Sequence, residues 1–381
     1  MKIGIVLYPT YGGSGVVATE LGMALAKKGH EIHFITYSLP FRLDDFGENI
    51  FYHEVRVTDY PLFYYKPYEL VLTSKLVDVV KHEGLELLHV HYAIPHASAA
   101  YMAKQILEQE NIHIPYITTL HGTDITLVGK DSSFEPVITF AINQSDAVTA
   151  VSKDLKKDTH TYFNINRQIE VIPNFINPDH YDVPPSEVLK KRYSPNGERI
   201  IVHISNFRKV KRVQDVAYFF AKFLEKMPAK LILVGDGPER HNIEEICRKQ
   251  GTCKHTEFLG KLKAIDQILS IADLFILTSE TESFGLSALE AMVSSVPVIS
   301  TNTGGLPEVI DHGNSGYLSN VGDIDDMVEN AYTILKDDES LHKFRKGAKK
   351  QALNFHIDKV LPLYEELYER VVSKTMIKKE N

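Results

Sequence analysis

ESFGLSALE, residues 282–290, follows the apolar run Leu274-Phe275-Ile276-Leu277. Four consecutive apolar residues read as a short buried strand, and the apolar periodicity that continues to Met292 reads as a helix. Residues 279–285 are then the loop that leaves a strand's carboxyl end. In an open α/β sheet ligands bind along that edge, because helix amino termini leave N–H groups there without intrahelical partners. Phe284, Gly285 and Leu286 supply such groups, and Gly285 lets the backbone come close to a phosphate. Glu282 and Glu290, eight positions apart, sit at the start of the helix and about two turns into it. One reaches a reacting group while the other reaches a neighbouring part of the same ligand. An ordinary helix start accounts for the same residues, with Ser283 as the cap, Glu282 beside the helix dipole and Glu290 on a solvated face. The remainder of the chain separates these two readings.

Around this segment strands and helices alternate. Residues 199–205 and 230–234 read as strands, 212–226 and 238–250 as helices, and 296–301 as the strand after the 282–290 unit. Three further strand-end loops are chemically loaded. SNFRKVKR, 205–212, sets Arg208, Lys209, Lys211 and Arg212 beside a helix amino terminus, where basic side chains oppose the dipole by about 0.3 to 1 kcal/mol unless an anion is present. Charge-assisted hydrogen bonds from a diphosphate, about 1.5 to 3 kcal/mol each, exceed that cost. VGDGPE, 234–239, brackets Asp236 with Gly235 and Gly237, and NTGGLPEVI, 302–310, repeats the pattern with Gly304, Gly305 and Glu308. Asp323, Asp325 and Asp326 have a D-x-D spacing, but they open a helical pattern, where acidic residues cap the end. Residues 327–372 read as three helices and 374–381 as a frayed charged tail.

The first half follows the same scheme. Residues 2–8 form a strand, 9–15 a loop with three glycines, 16–28 a helix stopped by Gly29, and 31–37 the next strand. The loop lacks the spacing of a dinucleotide fold and the ending of a P-loop, so a ligand's approach and a tight turn explain Gly13 and Gly15 equally well. Residues 87–91, 116–121, 147–151 and 169–172 are further strands. His89 and His91 share a strand face, yet no carboxylate or third histidine stands at ligand spacing, so no metal site is read. His121 ends a strand where the chain must turn, which fits a role in a site. Four prolines in IPNFINPDHYDVPP, 172–185, break the pattern and mark the crossing between domains. Two doubly wound, Rossmann-like α/β domains facing each other across a cleft are the simplest architecture.

Bulk properties agree. With 381 residues, 44% hydrophobic and 24% charged, the chain has room for two cores. A formal charge of −8 argues against a nucleic-acid binder. The two cysteines, Cys247 and Cys253, form neither a disulfide framework nor a four-ligand metal site. No basic leader and no run of about 18 apolar residues is present, so a soluble, cytoplasmic protein without a membrane span is expected.

Taken in order, YGGSG near residue 13, HGTD at 121, FRKVKR at 207, VGDGPE at 234, ESFGLSALEA at 282 and NTGGLPEVI at 302 resemble the retaining GT-B glycosyltransferases that share a Glu-x7-Glu motif. Within them, GGSGVVATELG, HYAIPHA, TLHGTDIT and SNFRKVKRVQD together resemble the branch that uses UDP-N-acetylglucosamine and L-malate in bacillithiol biosynthesis. The resemblance implies an acceptor domain, 1–177, joined by a C-terminal helix, 357–381, and a nucleotide-sugar domain, 178–356. It implies that Glu290 binds the ribose, Glu282 a hydroxyl of the transferred sugar, and Lys211 the diphosphate, within a cradle of the amides of Phe284 to Ser287. Gly13, Gly15 and Gly235 would approach the donor and His121 would lie at the reacting face, so that His121, Glu282 and Lys211 form the catalytic set.

Many relatives carry an arginine where this chain has Asn206, which leaves either Arg208 or fewer cations to hold the diphosphate. Ser14, Tyr92 and Thr119 are the expected acceptor contacts. No metal or other cofactor is expected, and a homo-oligomer stays open. A UDP-sugar epimerase or hydrolase, and a non-catalytic nucleotide-sugar sensor, are the alternatives to a transferase.

Overall fold

The computed structural model describes the chain except residues 11, 12, 44–46, 58–63, 128, 130 and 381. It divides into two compact units, Met1–Asn174 with Ile357–Asn381, and Phe175–His356. The first crossing thus lies three residues before the expected 177/178.

Among the described residues, the first unit carries β1 (Lys2–Val6), β2 (Glu31–Thr36), β3 (Ile50–Glu54), β4 (Leu87–His91), β5 (Tyr116–Leu120), β6 (Ala147–Ala150) and β7 (Ile169–Val171). Their order is β3-β2-β1-β4-β5-β6-β7, with every pairing parallel. The second unit carries β8 (Arg199–Ile204), β9 (Ala229–Val234), β10 (Thr256–Gly260), β11 (Leu274–Leu277), β12 (Val298–Thr301) and β13 (Gly316–Ser319), in the order β10-β9-β8-β11-β12-β13. These pairings are parallel as well. Each unit is therefore a doubly wound sheet, as expected from the alternation.

Strand order reverses between β1 and β4 in one unit and between β8 and β11 in the other. The loops that leave those four strands are the ones a ligand meets at a switch point. They begin at Leu7, Tyr92, Ser205 and Thr278. Central strands such as β11, buried at every position, are apolar because helices cover both faces. The three strands missed in the sequence, β3, β10 and β13, all lie at sheet edges and mix polar with apolar residues.

Two local expectations change. The helix of the 282–290 segment spans Leu286–Val293, and its N-cap is Gly285 at φ 95° rather than Ser283. Glu282 therefore belongs to the loop, not the first turn. Residues 374–380 are not a frayed tail but continue the helix Ile357–Glu380. Arg370 of that helix holds Glu170 through bonds of 2.5 and 2.7 Å, tying it to β7 of the first unit. The acidic 323–326 segment is a helix start, since the Asp323 side chain accepts the Asp326 N–H. Among the described residues no helix is long and apolar enough to cross a membrane.

Candidate active site

In the second unit, four loops are fastened backbone to backbone beside the switch point. Near the end of β8, His203 donates Nδ1–H to the Ile276 carbonyl at 2.8 Å, so its Nε2 accepts from the Ser205 hydroxyl at 2.8 Å. Ser205 Oγ in turn accepts the Phe207 N–H at 3.3 Å. Burial pushes the His203 imidazole down to about 4, which keeps it neutral and this tautomer in place. Gly235 has φ 121°, and a Cβ there would lie 1.8 Å from the Ser205 carbonyl oxygen. Its own N–H is engaged by the Gly260 carbonyl at 2.7 Å. Gly235 was expected among the donor contacts; what it lends here is the room for the 205–207 loop to pack.

The 302–310 loop supports Glu282 in the same way. Gly304, at φ 58°, would place a Cβ 1.9 Å from the Glu282 carbonyl oxygen, and the Gly305 N–H donates to that carbonyl at 2.8 Å. Thr278 Oγ1 donates to the carbonyls of Lys211 and Arg212 at 3.1 and 3.0 Å, and the Glu280 N–H donates to Val210 at 2.8 Å. These bonds bring together two segments that are about seventy positions apart in the chain.

Their side chains then meet. Lys211 Nζ lies 2.5 Å from Glu282 Oε2, with the two side chains 20% and 16% exposed. Ser279 Oγ donates to the same oxygen at 3.2 Å, and neither contact uses Oε1. Of the other basic residues at 208–212, Arg212 is held by Asp215 at 2.7 Å. Arg208 and Lys209 are exposed and form no ion pair among the described residues. Asn206 is exposed on the same loop. The site can thus offer two exposed cations, a lysine whose present partner is a carboxylate, and the first-turn amides of Leu286 and Ser287, which precede the first intrahelical donors Ala288 and Leu289. Phe284 is buried and packs edge-on to Phe355 at 5.6 Å.

Glu290 is not on a solvated face. It is 8% exposed, and its Oε1 accepts the Tyr181 hydroxyl at 2.7 Å. Tyr181 lies in the proline-rich crossing, where the sequence reading saw only a connection. A contact across 109 positions leaves no local pattern to find.

In the first unit, the loops after β1 and β4 converge on a second group. Ser14 Oγ and Tyr92 Oη lie 2.6 Å apart. Tyr92 adopts φ 85°, a conformation that non-glycine residues rarely take outside functional or tightly held turns. Gly13 opens the helix Gly13–Lys27 and is exposed, whereas a Cβ on Gly15 would lie 2.5 Å from the Tyr8 carbonyl oxygen. A tight turn is thus enough to account for Gly15. Tyr11 and Gly12 of the same loop lie outside the described residues.

His121 Nε2 and His91 Nδ1 are 2.7 Å apart. Burial pushes His121 down to about 3, and the same cause lowers His89 to about 3 and His96 to about 4. His121 is therefore neutral at physiological pH and acts through a hydrogen bond rather than a charge. His96 donates Nδ1–H to the His91 carbonyl, and its Nε2 has no hydrogen-bond partner among the described residues. Asp124, the last residue of HGTD, accepts the Ala93 N–H at 2.8 Å and the Gly122 N–H at 3.2 Å. It ties the loop after β4 to the loop after β5. Burial pushes its carboxyl up to about 6 although those N–H groups oppose the shift.

Thr119 is a correction. It is 0% exposed in β5, and its hydroxyl lies 2.7 Å from both His89 Nε2 and Thr149 Oγ1. His89 Nδ1 continues to the Tyr368 hydroxyl at 2.7 Å. Thr119 belongs to a polar ladder inside the core, because it lies within β5, two residues before His121, and the chain of bonds through His89 to Tyr368 covers it with the C-terminal helix.

The chain was compared with known proteins. A family model described as glycosyl transferases group 1 matches residues 186–351, and one described as glycosyltransferase family 4 matches 11–180. Over 370 residues the chain is 48% identical to N-acetyl-alpha-D-glucosaminyl L-malate synthase of Bacillus anthracis, covering 97% of this chain and 96% of that one. An uncharacterized glycosyltransferase of Methanocaldococcus jannaschii is 29% identical over 83% of this chain and 84% of its own. Among solved structures, sucrose-phosphate synthase of Thermosynechococcus elongatus superposes with a TM-score of 0.80 at 19% identity, covering 98% and 100% of the two chains. HepE of Anabaena in complex with UDP-glucose gives 0.79 at 19% identity over 97% and 100%. At that identity the structural likeness bears on the fold alone.

Proposed function

The chain belongs to the group 1 glycosyltransferases of GT-B build, and from that premise we propose that it moves N-acetylglucosamine from UDP-N-acetylglucosamine to the hydroxyl of L-malate with retention. The observation that carries this reading is the 48% identity with the B. anthracis malate synthase along nearly the whole chain. The acid acceptor and the sugar both come from that relative's name. The geometry supports the donor half independently.

Breaking the sugar–phosphate bond develops negative charge on the departing UDP, and preorganised cations and N–H groups lower that barrier. Lys211, Arg208 and the amides of Leu286 and Ser287 supply them, so the reading needs no metal for transfer. The Lys211–Glu282 pair of 2.5 Å has a direct consequence. A diphosphate must win Lys211 from Glu282, and the carboxylate is then freed for a hydroxyl of the sugar. Glu290, oriented by Tyr181, takes the ribose hydroxyls. On the acceptor side Ser14 and Tyr92 contact the acid, and neutral His121 offers a hydrogen bond to the sugar. Same-face attack, with the leaving phosphate taking the acceptor's proton, gives retention without a covalent intermediate.

UDP release from UDP-N-acetylglucosamine, with and without L-malate, tests the reading. Malate-dependent release is expected. Malate-independent turnover points instead to an epimerase or hydrolase, and UDP-sugar binding with no release in either condition points to a sensor.

A further inference from the structure

A second set of side chains in the first unit, away from the loops described above, has the composition of a ligand set. His33 of β2, His53 of β3 and Glu83 at the end of the helix Tyr68–Glu83 each place one ligand atom within 4.8 Å of the others. They are 20 and 30 positions apart, beyond any local ligand spacing, so the sequence offered no sign of them. The sheet register brings the histidines together. His33 stands opposite Phe51 and Ile35 opposite His53, which makes the two imidazoles diagonal neighbours on one face.

His33 Nδ1 and His53 Nε2 face each other at 2.9 Å. Behind His33, Nε2 meets Glu31 Oε1 at 3.1 Å, and Lys2 holds the same oxygen at 2.8 Å. A carboxylate only accepts, so Nε2 carries the hydrogen and Nδ1 presents a lone pair. A carboxylate fixing the tautomer of a ring whose other nitrogen points at a partner is the usual outer support of a metal-bound histidine. His33 is 0% exposed, while His53 and Glu83 are half-buried and can adjust.

We propose that His33, His53 and Glu83 bind a divalent transition-metal ion of the zinc class, separate from the transfer site. Tetrahedral bonds of about 2.0 to 2.1 Å set ligand atoms about 3.3 Å apart. His53 Nε2 now gives its hydrogen to His33 Nδ1, so on binding the His53 ring must carry its hydrogen on Nδ1 instead, the two nitrogens part by about 0.4 Å with some rotation of that ring, and Glu83 swings inward. Three protein ligands leave a fourth position for water. Lys2 and Glu31 open their strands and Glu83 closes the helix that returns to β4. His33 lies in the middle of β2 and His53 one residue before the end of β3, so the set runs from the amino edge up the edge strand, and an ion there would fasten β3 to β2 and that helix.

The test uses the full chain, stripped with a chelator and titrated with Zn²⁺ and Co²⁺. The expected results are one tightly bound equivalent per chain, the visible absorption of tetrahedral Co²⁺, and a thermal transition that rises with Zn²⁺. His53→Gln and Glu83→Gln, both at adjustable half-buried positions, lose the Co²⁺ band, and Glu31→Gln weakens Zn²⁺ about 10- to 100-fold. Circular dichroism confirms that each variant is folded. The proposal is overturned if the wild-type chain takes up no stoichiometric ion, or if folded His53→Gln and Glu83→Gln bind Zn²⁺ as tightly as the wild type.

Discussion

Replacing Tyr181 by phenylalanine removes one hydroxyl and leaves the ring's packing in place. That hydroxyl donates to Glu290 Oε1 at 2.7 Å, between a tyrosine 5% exposed and a glutamate 8% exposed. A buried hydrogen bond to a charged group is worth on the order of 1.5 to 3 kcal/mol. The lower figure, about 1.5 kcal/mol, is expected as the loss of folding stability. Donor binding is affected differently. The freed glutamate must be ordered again when the nucleotide arrives, which costs about 0.5 to 1.5 kcal/mol for one side chain. At about 1.4 kcal/mol per tenfold, UDP affinity should fall by roughly 2- to 12-fold. Calorimetric titration with UDP, steady-state kinetics against UDP-N-acetylglucosamine and a thermal melt measure the separate parts. A rise in donor KM with kcat nearly unchanged is expected, since a ribose contact exists in both ground and transition states. If the melt falls while UDP affinity stays at the wild-type value, Glu290 does not hold the donor and the Tyr181 contact serves folding alone.

Lys211→Ala should slow transfer on the order of 10²-fold or more and also lower the melting temperature, because Glu282 is left largely buried without its partner. Adding Glu282→Gln should restore the melt without restoring transfer; recovery of transfer would remove Lys211 from the diphosphate site. Glu290→Gln should raise the donor KM more than it lowers kcat, and the reverse pattern would place this carboxylate in the chemistry. Acid should destabilise the first unit. His89, His96 and His121 have folded values of about 3 to 4, below the ordinary value near 6.5. Their stabilisation is complete above that value and is lost as pH falls below it, since only the unfolded chain then takes up protons. Asp124, raised to about 6, works in the opposite sense as the folded form gains a proton. With His91, which burial also holds well below its ordinary value, the histidines outnumber this carboxylate, so the net effect is a loss of stability as pH falls below about 6. Melts at pH 7.5 and 5.5 measure it, and equal transitions would show that these histidines are not held neutral by burial.

The doubly wound class was readable because its central strands are covered on both faces. Burial on two sides demands unbroken apolar runs such as 274–277 and 230–234, and such runs stand out from the turns that flank them. Edge strands are covered less, so polar residues are tolerated within them. For that reason IFYHE at 50–54 and TEFLG at 256–260 carry no clear strand pattern. The loop read over 279–285 ends where the helix begins at Leu286, and Ser283, the cap of the ordinary-helix reading, is not used although it is a better cap by type. The backbone reached the left-handed conformation at the glycine instead.

Residue type and order along the chain were enough to establish two alternating α/β units and to place the loaded loops at strand ends, while the roles expected of Lys211, Glu282, Glu290 and His121 came from the family resemblance. Partnership between side chains had to wait for the tertiary structure. Lys211 meets Glu282, Tyr181 meets Glu290, Thr119 turns inward to His89, and His33 meets His53. The physical reason is that local propensity and periodicity act over a few residues. Contacts between loops of different strands depend instead on strand order and register, which the packing of the whole sheet decides.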